Sequence, residues 1–68
     1  MEGKLFTPKR GQLYENTNGS TFVCVEAFKG GDATMVNIDS GWWQQVHGCR
    51  MFNGGKIAWD YSTGGHFI

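Results

Sequence analysis

Between Thr21 and Phe28 the chain is apolar on both parities: Val23, Val25 and Ala27 alternate with Phe22, Cys24 and Phe28, interrupted only by Thr21 and Glu26. Successive side chains of a strand point to opposite faces of the sheet, so this pattern predicts a strand with two largely apolar faces, placed centrally. Lys56 to Ser62 reads differently. Ile57, Trp59 and Tyr61 alternate with Lys56, Ala58 and Asp60, which predicts one inner and one outer face, with Trp59 in the core. Trp42 to Phe52 also alternates, and Gly48 in its middle marks a bulge or bend that would let one long strand serve two sheets.

Turn signals separate these runs at Asn18-Gly19, Gly30-Gly31-Asp32, Ser40-Gly41, Asn53-Gly54-Gly55 and Gly64-Gly65. Asn-Gly between apolar runs is the strongest of them, because a two-residue hairpin loop needs positive φ at both positions. The predicted strands are Gln12–Asn16, Thr21–Phe28, Thr34–Asp39, Trp42–Phe52 and Lys56–Ser62, with Gly65–Ile68 adding a short final pairing. No segment sustains a 3.6-residue period with caps, so the expected helix content is at most one turn near Thr7-Pro8. Short strands with short connections predict an all-β fold, either a small five-stranded antiparallel SH3-like barrel or a strongly bent sheet. Residues 1–10 read as an N-terminal arm and residues 11–68 as a single small β domain. The expected core comprises Leu13, Phe22, Val23, Val25, Val36, Ile38, Val46, Ile57 and Trp59.

Composition then narrows the picture. A chain of 68 residues has room for one core, near the size at which domains begin to need disulfides, metals or oligomerisation. Three Trp, two Tyr and five Phe help to build it, each large ring burying roughly 150–250 Å². Six basic and six acidic residues cancel, so no overall field attracts nucleic acid or an anionic membrane. The N-terminal MEGKLFTPKR lacks the apolar core of a signal peptide and no apolar run has the length of a membrane span, which leads to a cytoplasmic expectation. In that compartment Cys24 and Cys49, which form no Cys-x-x-Cys pair, read as reduced, buried thiols.

The runs TPKRGQLYEN, DATMVNIDSGW and GGKIAWDYSTGGHF span most of the chain, from Thr7 to Phe67. In these runs the chain resembles a group of small proteins from Gram-positive bacteria and their prophages or mobile elements. The resemblance implies a compact domain encoded alone. It brings no established activity, cofactor or site residue with it.

Three arrangements have the composition of chemical sites. Cys24, His47, Cys49 and His66 have the composition of a Cys2His2 zinc site, but their spacing matches no zinc ribbon or finger, so no metal is expected. Asp60, Ser62 and His66 have the composition of a hydrolytic triad, yet Ser62 and Thr63 read more simply as starting a turn that Gly64-Gly65 completes. Gly30-Gly31 and Gly64-Gly65 lack the helix and the Lys-Ser or Lys-Thr of a phosphate loop. The expectation is no enzyme, no catalytic residue and no cofactor.

Binding remains. Trp42 and Trp43 must point to opposite faces of their strand, so one of them is expected to be exposed, with Tyr14 and Arg50 as further candidates. This set favours protein–protein interaction or self-association as a homodimer, through a sheet edge or the face carrying Trp42 or Trp43. Single-stranded nucleic acid is the alternative partner, since small barrels stack bases on such rings. The missing feature is a basic stripe.

Overall fold

The computed structural model describes residues 3–67. Eight strands form two antiparallel sheets: β1 Lys4–Leu5, β2 Leu13–Glu15, β3 Thr21–Ala27, β4 Ala33–Asn37, β5 Trp42–His47, β6 Arg50–Met51, β7 Ile57–Ala58 and β8 Tyr61–Phe67. The larger sheet has the order β2-β3-β4-β5-β8 and the smaller the order β1-β6-β7. The fold is therefore all-β, with β3 inside the larger sheet as its two apolar faces predict. The sheets do not close into the expected SH3-like barrel among the described residues, because β2 and β8 remain at opposite edges.

Gly48 makes the expected bend. Its φ of 76° is a conformation that L side chains rarely adopt, and it separates β5 in the larger sheet from β6 in the smaller. A second seam lies at Asn16, whose Oδ1 accepts the N–H groups of Asn18 and Ser20, both at 3.0 Å. Asn16 forms an isolated parallel bridge to Ile57, and the Thr17 N–H donates to the Ile57 carbonyl at 3.0 Å. Burial of a polar Asn is stable here because its side chain fixes the β2–β3 turn.

The core lies between the two sheets. Phe22 and Cys24 of β3, Ala33 and Met35 of β4 and Val46 of β5 pack with Cys49 and with Ile57 of β7, while Phe6, Tyr14, Met51 and Trp59 close its margins. Trp59 meets Phe22 edge-on with ring centroids 5.1 Å apart, so it belongs to the core boundary rather than its centre.

Several expectations are corrected. The segment Lys56–Ser62 is not one strand: the chain bends at Trp59-Asp60, which breaks the alternation and leaves Tyr61 59% exposed. Gly64-Gly65 is not a turn, and Ser62-Thr63 does not start one, since β8 runs through all four residues. Trp43 pairs with His66 and Gln45 with Thr63, so the two glycines face Gln44 alone and form a bulge. In the hairpin at Asn53-Gly54-Gly55 both glycines have positive φ and Asn53 does not, which makes a three-residue loop. No helical turn occurs at Thr7-Pro8; the short 3₁₀ turn is Lys29–Gly31. Lys4–Leu5, within the expected arm, pairs with β6. Met1 and Glu2 of that arm, and Ile68 of the expected final pairing, lie outside the described residues.

Leu13 and Ile38 are also displaced from the expected core, at 54% and 50% exposure. Ile38 lies just beyond the end of β4, and the registers explain the position of Leu13. Leu13 pairs with Val23, Val23 with Val36 and Val36 with Trp43, and directly paired residues share a face. None of these belongs to the core cluster. Leu13, Val23 and Val36 of the expected core therefore lie on the opposite side of the larger sheet.

Ile57→Ala is expected to cost about 2–5 kcal/mol, as for other fully buried aliphatic truncations, and Leu13→Ala less than about 1 kcal/mol. Urea unfolding of the two variants checks the division of faces.

Candidate functional site

The outer face, opposite the core, is built by strand alternation. Its central row runs across all five strands as Leu13, Val23, Val36, Trp43 and His66. Val36 is only 6% exposed although it lies outside the core cluster. A second row carries Glu26, Thr34, Gln45 and Thr63, where the Thr34 hydroxyl donates to Gln45 Oε1 at 2.7 Å. A third pairs His47 with Tyr61.

Two ring stacks join β8 to β5 on this face. Trp43 and His66 lie with centroids 5.9 Å apart and planes 11° from parallel; His47 and Tyr61 lie 4.6 Å apart at 18°. His47 is held on both sides, with Nδ1 3.5 Å from Asp32 Oδ1 and Nε2 3.0 Å from Thr63 Oγ1. The indole Nε1 of Trp43 is buried and meets no acceptor among the described residues. Thr34, Trp43, Gln45, Thr63, Gly64 and His66 line a shallow depression of about 140 Å³ on the outer face at the bulge.

The four candidate binding residues do not converge. Trp43 alone lies on the outer face. Trp42 lies on the core side of the sheet end, against Phe67 at a centroid distance of 4.9 Å and over Gly65, where any Cβ would meet its ring. Tyr14 packs on Phe6 at the core margin and accepts the Lys9 N–H at 2.9 Å. Arg50 belongs to the small sheet and pairs with Asp60 at 3.2 Å. Leu13, Val23, Val36 and Tyr61 join Trp43 instead. Their signal was present in the double apolar alternation of Thr21 to Phe28, which indicates two apolar faces without indicating which is covered.

The weighed catalytic and metal sets are dispersed. Cys24 and Cys49 are free thiols in the core, whereas His47 and His66 lie on the outer face. Among the described residues no group of three or more His, Cys, Asp or Glu is placed to hold a metal ion. Ser62 pairs with Val46, a core-side residue, while His66 pairs with Trp43 on the other face, and Asp60 is engaged by Arg50. Burial pushes the Cys49 thiol up to about 12, with Cys24, Asp32 and Asp60 adding to the effect; burial also raises that of Cys24. Such thiols are poor nucleophiles. No protein-family model, curated protein or solved structure matches the chain.

Gly65 is the residue on which the attachment of β8 depends. Its φ of 133° is a conformation left to glycine, and a side chain there would displace Trp42. Gly65→Ala is expected to destabilise by more than about 1–3 kcal/mol and to alter the near-ultraviolet tryptophan spectrum. Gly54→Ala, with φ of 88° and open space around it, is expected to cost only about 1–2 kcal/mol with that spectrum unchanged.

Cys49 predicts a pH dependence. Its thiol stays protonated in the folded protein and ionises near 9.0 in the unfolded chain, so its contribution is complete below that pH and is lost as pH rises toward 12. Urea midpoints should fall through this window, and Cys49→Ala should flatten the slope.

Proposed function

We propose that the protein is a small cytoplasmic binding module that recognises a protein partner through the outer face of its larger sheet, and that it is not an enzyme. The observation that carries this reading is the row Leu13, Val23, Val36, Trp43 and His66, which crosses all five strands on the side away from the core. An antiparallel sheet that simply faced water on one side would carry polar residues there, and the central row departs from this at Leu13, Val23, Val36 and Trp43. A contiguous apolar surface rimmed by polar groups such as Gln45, Thr63 and Glu26 has the make-up of an interaction site.

The charges favour a protein over a nucleic acid. The paired outer-face positions carry Glu15, Glu26, His47 and His66, with Asp32 beside His47; they include no Lys or Arg, and Lys56, which reaches Glu15 at 3.1 Å, is neutralised there. Phosphate backbones are bound chiefly by Lys and Arg, so stacking on Trp43 would have no electrostatic support. The resemblance to proteins of prophages and mobile elements makes a host protein the first partner class to test.

Val23→Lys places a charge in the middle of the row. Affinity capture from a bacterial host lysate is expected to retain a protein in the presence of nuclease and at raised salt. Its affinity for Val23→Lys should be at least tenfold lower, equivalent to about 1.4 kcal/mol, with an unchanged far-ultraviolet spectrum. Capture that disappears with nuclease, or that is equal for both forms, overturns the reading.

A further inference from the structure

We infer that the free edge of β8 is a self-association surface, on which β8 of a second copy of this chain adds antiparallel to join the two five-stranded sheets into one of ten strands. The inference goes beyond the outer-face reading, because it rests on backbone groups of the edge.

β8 is the last strand of its sheet and all seven of its residues are exposed, Tyr61 and Phe67 to 59% and 66%. One side of its backbone is bonded to β5, and no strand among the described residues pairs with the other. Proteins that remain monomeric protect such an edge with Lys, Pro, inward charges, short length or a covering loop. Tyr-Ser-Thr-Gly-Gly-His-Phe contains no Asp, Glu, Lys, Arg or Pro. The other edge is protected: β2 has three residues, includes Glu15, and is followed by the Asn16 bridge to Ile57. The bulge at Gly64-Gly65 is the one blunting device on β8.

The strand is suited to itself. Antiparallel pairing about a two-fold axis requires its two ends to complement each other, and β8 has rings at both ends with the two glycines toward the middle. The bulge shifts the alternation so that Tyr61, Thr63 and His66 share the outer face, as their partners His47, Gln45 and Trp43 do. In the register that sets Thr63 against His66 of the second copy, Ser62 meets Phe67 and Gly64 meets Gly65, so facing residues lie on one side of the joined sheet. The outer rows then become continuous across the axis. Zero net charge leaves no overall repulsion between copies.

Sedimentation equilibrium of the full chain over the micromolar range tests this, with amide exchange followed at both ends of the range. The mass should rise from 7.6 kDa toward twice that value, and β8 amides should become more protected as concentration increases. Ser62→Lys sets a charge against Phe67 of the second copy from an exposed position, and should raise the dimer dissociation constant at least tenfold without altering the far-ultraviolet spectrum. Val23→Lys, on the face, should leave that constant unchanged. A mass that stays near 7.6 kDa at every concentration overturns the edge inference without touching the outer-face reading. A dimer insensitive to Ser62→Lys, or one abolished by Val23→Lys, also overturns it.

Discussion

The burial of Ile57 and Cys49 against Phe22, Cys24, Met35 and Val46 is the contact on which the architecture depends. The small sheet consists of three two-residue strands, too short to persist through their own hydrogen bonds. It holds because these side chains fill the space over the larger sheet. Removing a fully buried aliphatic or sulfur-bearing side chain from water contributes about 1.5–3 kcal/mol, a large share of the net stability of so small a domain. The two seams, at Gly48 and at Asn16, fix where that covering layer sits. Each uses a local device: a left-handed glycine in one case, a side-chain carbonyl accepting two backbone N–H groups in the other.

Once the small sheet covers one face, the other is committed to solvent or to a partner. Strand alternation distributes Leu13, Val23, Val36 and Trp43 to that side whatever covers it, and only the Phe22 and Cys24 parity receives the second layer. The acidic groups and imidazoles around the row give the surface a polarity unlike that of a phosphate-binding groove.

Much of the strand placement was legible in the sequence. The central position of Thr21–Ala27 followed from its double apolar alternation, and the change of sheet at Gly48 from a glycine in mid-strand. Period-two patterns report faces, however, and not which face is covered, so Leu13 and Ile38 were grouped with Phe22 and Val46. Tyr61 was misplaced because the bend at Trp59-Asp60 has no Gly or Pro to announce it. Gly64-Gly65 has the same local sequence whether it turns the chain or bulges within a strand, and the cross-strand neighbours Trp42 and Gln44 decide between them. At the candidate site alternation indicated that one of Trp42 and Trp43 faces outward, without indicating which. The separation of Tyr14 and Arg50 from Trp43 depends on Phe6 and Asp60, partners whose positions are set only by the completed fold.

The attachment of β8 also determines what spectroscopy of this protein measures. Both Trp42 and Trp43 touch β8, one through Gly65 and Phe67 and the other through His66, whereas Trp59 alone of the three indoles lies against the core. A fully exposed edge strand opens at lower free energy than a buried layer. Indole emission is therefore weighted two to one toward the edge, and the far-ultraviolet signal toward the sheets as a whole. Transitions followed by the two probes need not coincide even when the core unfolds in one step, and their separation measures how firmly the last strand is held.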